Sequence, residues 1–102
     1  MDGFALIADP TRRRILDRLR DADASVGDLI GVLDLAQPLV SKHLRALREA
    51  GAVTVRVAGR RRVYSLAEDP LPEVLAWVSP YYRMWADSFD RLAEALDRKE
   101  TP

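Results

Sequence analysis

The chain contains no cysteine and a single histidine, His43. Without thiols there are no disulfides, no thiolate metal sites and no cysteine nucleophile. One imidazole also leaves little for hydrolysis, which needs a nucleophile with a partnered base or two convergent carboxylates. No glycine-rich phosphate loop is present, and the carboxylates are scattered over helix faces. An enzyme is therefore not expected. No apolar run approaches the roughly 18–20 residues that span a bilayer. Met1-Asp2-Gly3 lacks the basic start and apolar stretch of a secretory leader. The expectation is a cytoplasmic protein with no membrane partner.

What is present is an ordinary globular composition, 48% apolar and 31% charged over 102 residues, read as one domain spanning 1–102. A net charge of zero hides an uneven distribution. Residues 1–36 carry five Arg against seven Asp, and residues 63–102 carry four basic against eight acidic residues. Between them, Lys42, Arg45, Arg48, Arg56, Arg60, Arg61 and Arg62 face Glu49 alone. So concentrated a basic block points to a polyanionic partner. A solvated arginine-rich surface is the alternative, and charge alone does not choose between them.

Position narrows the choice. Phe4, Leu6 and Ile7 read as a short apolar N-terminal helix. Asp9-Pro10 then marks a second start, because Asp caps free amides and proline at the first helical position loses no bond. That helix runs to about Arg20 with Ile15, Leu16 and Leu19 on one face. Ser25 and Asp28, three apart, form a capping box that opens a helix carrying Leu29, Ile30 and Leu33. A third helix spans Gln37 to Ala50 and is ended by Gly51. Its apolar side is Val40, Leu44 and Leu47, and its outward side is Gln37, Pro38, Ser41, Lys42, Arg45 and Arg48. Two short helices joined by a tight turn, the second rich in hydrogen-bonding side chains, is the helix-turn-helix arrangement, here over 25–51.

The period then changes to two. Val53, Val55 and Val57 alternate with Thr54 and Arg56, Ala58-Gly59 turns the chain, and Val63, Tyr64 and Leu66 return it. A two-stranded basic hairpin over 52–66, with Arg60, Arg61 and Arg62 at or just after its tip, reads as a wing whose arginines reach phosphates or the minor groove. The fold class expected is mainly α with a small β-hairpin, a winged helix-turn-helix.

Asp69-Pro70-Leu71-Pro72 opens a last helical segment over 70–98, either kinked or restarted at Ser79-Pro80. Tyr81, Trp85, Phe89, Leu92 and Leu96 make one stripe there. Together with Phe4 and Ile7 the stripe reads as a dimer seam, the alternative being a helix folded back on its own core. Trp77 and Trp85 are read as core or interface anchors in preference to a ligand pocket.

The segments Ala8-Asp9-Pro10-Thr11-Arg12-Arg13-Arg14-Ile15-Leu16, Gln37-Pro38-Leu39-Val40-Ser41-Lys42-His43-Leu44-Arg45-Ala46-Leu47-Arg48-Glu49-Ala50-Gly51 and Gly59-Arg60-Arg61-Arg62-Val63-Tyr64 resemble the ArsR/SmtB winged-helix repressors. The resemblance runs from about residue 4 to residue 97. It implies a homodimer built from first and last helices that binds an imperfect palindrome in double-stranded operator DNA. Two departures stand out. The recognition helix has Ala36 where the family usually has a Ser or Thr cap, leaving Asp34 or a phosphate to serve its amides. The Cys-x-Cys-Asp-Leu box of thiolate-using members is Ser25-Val26-Gly27-Asp28-Leu29 here, and the last helix has no His for the zinc site of others. No metal and no cofactor are expected, which places the chain with a metal-independent branch.

The residues nominated for DNA contact are Gln37, Pro38, Ser41, Lys42, Arg45, Arg60, Arg61 and Arg62. Gln pairs with adenine in a bidentate manner, and Lys reaches guanine or phosphate. His43 lies beside the apolar stripe and reads as packed or bonded to backbone. For Arg12, Arg13 and Arg14, pairing with Asp9 or Asp17 competes with DNA contact. The alternative function is a winged-helix module that binds protein without reading DNA. Regulation stays open between an unidentified small-molecule effector and simple autorepression.

Overall fold

Asp2, Asp9 and Ser25 each hold an extended backbone and turn it into a helix by accepting from amides two or three residues on. In the computed structural model, which describes residues 1–100 and side chains through residue 98, these caps begin α1 (Gly3–Ala8), α2 (Pro10–Asp21) and α3 (Val26–Leu33). The box at α3 is reciprocal: Asp28 N–H donates to Ser25 Oγ at 3.1 Å, and Ser25 N–H donates to Asp28 Oδ2 at 3.0 Å. The left-handed Asp34, at φ 54°, closes α3. It does not cap α4 (Gln37–Glu49), as the sequence reading allowed, because its backbone is committed to ending the preceding helix. Ala36 offers no side-chain bond, so α4 begins uncapped.

The end of α4 is sharper than its start. Gly51 adopts φ 80°, Ala52 N–H reaches Leu47 O at 2.9 Å and Gly51 N–H reaches Arg48 O at 3.0 Å. That pair of bonds is the Schellman motif, and it turns the chain directly into β2 (Val53–Ala58). Gly59, at φ 64°, and Arg60 form a two-residue loop into β3 (Arg61–Leu66), one position later than the expected Ala58-Gly59 turn.

The wing is the expected β2–β3 hairpin, with a short third strand added at its β3 edge. Ala24 and Ser25 form β1, pairing antiparallel with Tyr64 and Val63, so the sheet order is β1-β3-β2. A two-residue strand has too short a pattern to be seen as an alternation, and its existence depends on β3 arriving beside it. Leu6, Ile15, Leu19, Leu29, Val40, Leu44, Leu47, Val53 and Tyr64 then share one buried core. Each fully buried aliphatic side chain there contributes about 1.5–3 kcal/mol.

The last helix, α5 (Pro72–Glu100), starts two residues after the expected Asp69-Pro70 cap. Pro72 disfavours a helical Leu71, so no helix passes through that position. Pro80 sits inside α5 and does not restart it. Beside it, the Ser79 hydroxyl donates back to Leu75 O at 2.6 Å. The chain divides into two compact units, Met1–Pro72 and the segment from Glu73 onward. A long helix makes most of its close contacts along itself.

Candidate nucleic-acid interface

Helical spacing decides which side of α4 is available. Val40, His43, Leu44 and Leu47 are buried, so Gln37, Pro38, Ser41, Lys42, Arg45 and Arg48 are left exposed on the other side. Ser41, Arg45, Arg48, Glu49, Arg62 and Tyr64 line a groove of about 470 Å3 between α4 and the wing. Gln37, Pro38 and Lys42 do not line that groove and lie exposed on the first two turns of α4. Helical spacing places Arg48 outward, although it is not among the residues nominated for DNA contact. Its groove position needs β3 packed beside α4, a tertiary placement that the pattern of the returning strand does not carry.

The seven basic residues of the central block separate into two sets. Arg45 donates to Glu49 Oε1 at 3.0 Å one turn along α4. Arg56 donates to Asp23 Oδ2 at 2.8 Å and to Ser65 Oγ at 3.2 Å. Arg61 donates to Ser25 Oγ at 2.7 Å and to Asp28 Oδ2 at 2.9 Å. Among the described residues, Lys42, Arg48, Arg60 and Arg62 have no such partner. The three wing arginines, nominated together, are thus split. Strand alternation places Arg61 and Arg62 on opposite faces of β3. Arg62 and Tyr64 face α4, whereas Arg61 is turned onto the start of α3. Arg60, Arg61 and Arg62 also line a second groove, of about 480 Å3, with Ser25, Val26, Gly27 and Asp28.

The acidic partners respond to these bonds. Asp28 is held below the usual carboxylate range, first by the Ser25 backbone N–H, then by the Ser25 hydroxyl, with the Arg61 charge adding to it. Asp23 is lowered chiefly by the Arg56 bond, with Ser65 assisting. Asp9 is lowered mainly by the Arg12 backbone N–H, aided by Thr11 and by the charge of nearby His43.

Arg12, Arg13 and Arg14 neither pair with Asp9 or Asp17 nor line either groove. Arg12 donates to Leu6 O at 2.6 Å and Ala5 O at 3.0 Å, and Arg13 donates to Ile7 O at 2.7 Å. Arg14 donates to Leu33 O at 3.2 Å. All three therefore serve carbonyls left over at the ends of α1 and α3. His43 is buried, with Nδ1 lacking a hydrogen-bond partner among the described residues. Packing, not a backbone bond, holds it.

On the dimer side, Phe4 is exposed, while Ile7 is half-buried against the core. Tyr81, Trp85, Phe89, Leu92 and Leu96 are all exposed on α5, between 44% and 67%. Trp77 is also exposed, its ring 5.0 Å from that of Tyr81. A shallow pocket of about 230 Å3 on α5 is lined by Leu75, Val78, Ser79, Tyr82 and Arg83, so neither tryptophan forms it. Neither tryptophan is a core residue. Among the described residues no three His, Asp or Glu side chains converge as a metal site, and no helix is long and apolar enough to cross a membrane.

Residues 9–55 match the family model described as bacterial regulatory protein, arsR family. The chain is 38% identical over 95 residues to the HTH-type transcriptional regulator Rv2034 of Mycobacterium tuberculosis, covering 93% of this chain and 86% of that protein. It is 35% identical over 75 residues to the transcriptional repressor SdpR of Bacillus subtilis, covering 74% of this chain and 83% of that one. A crystal structure of an ArsR family transcriptional regulator superposes with a TM-score of 0.68 at 33% identity, over 82% of this chain and 92% of the other. The chain belongs to the ArsR family of bacterial regulatory proteins, winged helix-turn-helix regulators of transcription and not enzymes.

Proposed function

We propose that this chain is a metal-independent repressor that binds a palindromic double-stranded operator as a homodimer. The observation that carries the reading is the set of cations without partners. Arg48 on α4, with Arg60 and Arg62 on the wing, borders two grooves joined through Arg62, and Lys42 lies exposed on the same helix outside them. Cations left unpaired by the protein are the ones able to release counterions from phosphate.

In this reading α4 enters the major groove. Gln37, Ser41 and Lys42 reach base edges, while Arg48, Arg60 and Arg62 neutralise the backbone. Phe4 and the Tyr81–Leu96 stripe cover one another across a two-fold axis, presenting two α4 helices about 34 Å apart. Occupancy of the operator hinders polymerase. The names of relatives support repression, since they include the transcriptional repressor SdpR and a biofilm growth-associated repressor of Agrobacterium fabrum. Metal independence is supported by residue content: Ser25 and Gly27 stand where thiolates would, and His43 is buried. A cytoplasmic place of action follows from the DNA partner.

The test is an electrophoretic shift with the upstream region of its own gene, alongside sedimentation velocity. A discrete shifted band and a dimeric sedimentation coefficient are expected, with Trp85→Asp plus Phe89→Asp giving a monomer that no longer shifts the fragment. A wild-type protein that sediments as a monomer, or that binds upstream and random duplex equally at moderate salt, overturns the proposal.

A further inference from the structure

We infer that Arg61, although it lies in the basic wing, is a positioning residue that clamps the wing to the start of α3 and does not itself meet DNA. The role rests on the DNA-binding reading above, but the clamp is a property of the free protein.

The argument begins with the capping box. Ser25 Oγ and Asp28 Oδ2 are already oriented by their bonds to the amides of Asp28 and Ser25. They form a fixed pair of acceptors, and one Arg61 nitrogen donates to both, at 2.7 Å and 2.9 Å. A charge-assisted bond to a pre-oriented carboxylate is stronger and more directional than one to a freely moving partner. Swinging Arg61 out to a phosphate gives up both acceptors and leaves the Asp28 carboxylate facing a polyanion, whereas in the clamped position that carboxylate already offsets the Arg61 charge.

A second clamp repeats the design on the other strand of the hairpin. Arg56 of β2 holds Asp23, and Arg61 of β3 holds Asp28, so the two acids flank β1 and each strand is tied once. Backbone pairing of Ala24 with Tyr64 and of Ser25 with Val63 lies between the clamps. An isolated two-stranded hairpin is marginally stable in water. With both strands fixed to the segment that opens α3, Arg60 and Arg62 are held in place before DNA arrives, which lowers the ordering cost of binding.

Three properties test this on the intact protein: amide exchange of residues 57–63 in the free state, affinity for a duplex that the wild type selects from a random pool, and the slope of log affinity against log salt. Arg61→Ala and Asp28→Asn are both expected to speed exchange of the wing amides. Each is expected to weaken binding about five-fold per subunit, the size of effect a partly exposed ion pair supports. The double variant is no worse than either single one, Arg61→Lys restores most of the affinity, and the salt slope stays at the wild-type value throughout. Circular dichroism confirms that each variant is folded at the assay temperature, and Arg61→Gln replaces Arg61→Ala if it is not. A slope reduced by about 0.9 per subunit in Arg61→Ala, with Asp28→Asn binding as tightly as wild type or tighter, makes Arg61 a phosphate contact and overturns the proposal. Unchanged wing exchange in both variants overturns the clamp. If the wild type selects no duplex, the DNA-binding reading fails, and the exchange measurement still decides whether the clamp exists.

Discussion

Arg14 of α2 donates to the Leu33 carbonyl at the end of α3, 3.2 Å away and 19 positions along the chain. Three consecutive arginines near an N-terminus look like a nucleic-acid handle. Here they satisfy carbonyls that two helices leave open, and they do so from a helix packed beside both.

The first prediction concerns that bond. Arg14→Ala leaves the Leu33 carbonyl without its partner and lowers stability by about 1 kcal/mol. DNA affinity at fixed salt and its salt slope stay as in wild type, because Arg14 lines neither groove. Urea unfolding and a salt titration by fluorescence anisotropy check the two halves; a slope that falls shows Arg14 to be a phosphate contact.

Gly51 is the second test. Its φ of 80° is required by the turn from α4 to β2, and an added Cβ meets no atom within 4 Å. Only the backbone conformation opposes a side chain there. Gly51→Ala is therefore expected to cost about 1–2 kcal/mol, and Gly51→Asn less, since Asn tolerates the left-handed region. Equal loss for Ala and Asn points to a steric clash and not to backbone conformation.

The third prediction separates paired from unpaired cations. Arg48→Ala and Arg62→Ala each reduce the salt slope by about 0.9 per subunit. Arg56→Ala, whose guanidinium is held by Asp23 and Ser65, leaves the slope unchanged. The opposite ranking, with Arg56 steep and Arg48 silent, removes the interface described above.

Acid stability is the fourth. Asp9, Asp23 and Asp28 have folded pKa values below those of the unfolded chain. The unfolded state thus binds more protons in acid. Stability from these groups is complete above the unfolded value, about 3.9, and is lost as pH falls through the lower folded values. The urea midpoint should be flat from neutral pH to about pH 5 as far as these groups are concerned, then drop. Asp23→Asn and Asp28→Asn each make the drop shallower, and curves parallel to wild type in both variants contradict the assignment.

Much of the fold is legible in short stretches. Asp9-Pro10, the Ser25/Asp28 box, the 40-44-47 spacing and Gly51 mark helices α2 to α4 because caps and helical periods act within about four residues. The alternation of Val53, Val55 and Val57 marks β2 in the same way. The reading face of α4 follows from those local rules, and the resemblance of its Gln-Pro-x-Val-Ser-x-His-Leu run to ArsR-type repressors carried the family.

Tertiary structure decided what the cations do. Arg56 meets Asp23 and Arg61 meets Asp28 across 33 positions each, and Arg14 meets Leu33 across 19. Sequence spacing carries no sign of such pairs. Strand β1 likewise exists only because β3 returns beside Ala24 and Ser25. The winged helix-turn-helix was therefore determined by local chemistry, whose range is one or two helical turns. Which arginines face a partner, and which hold the wing, depended on charges that only folding brings within 3 Å of one another.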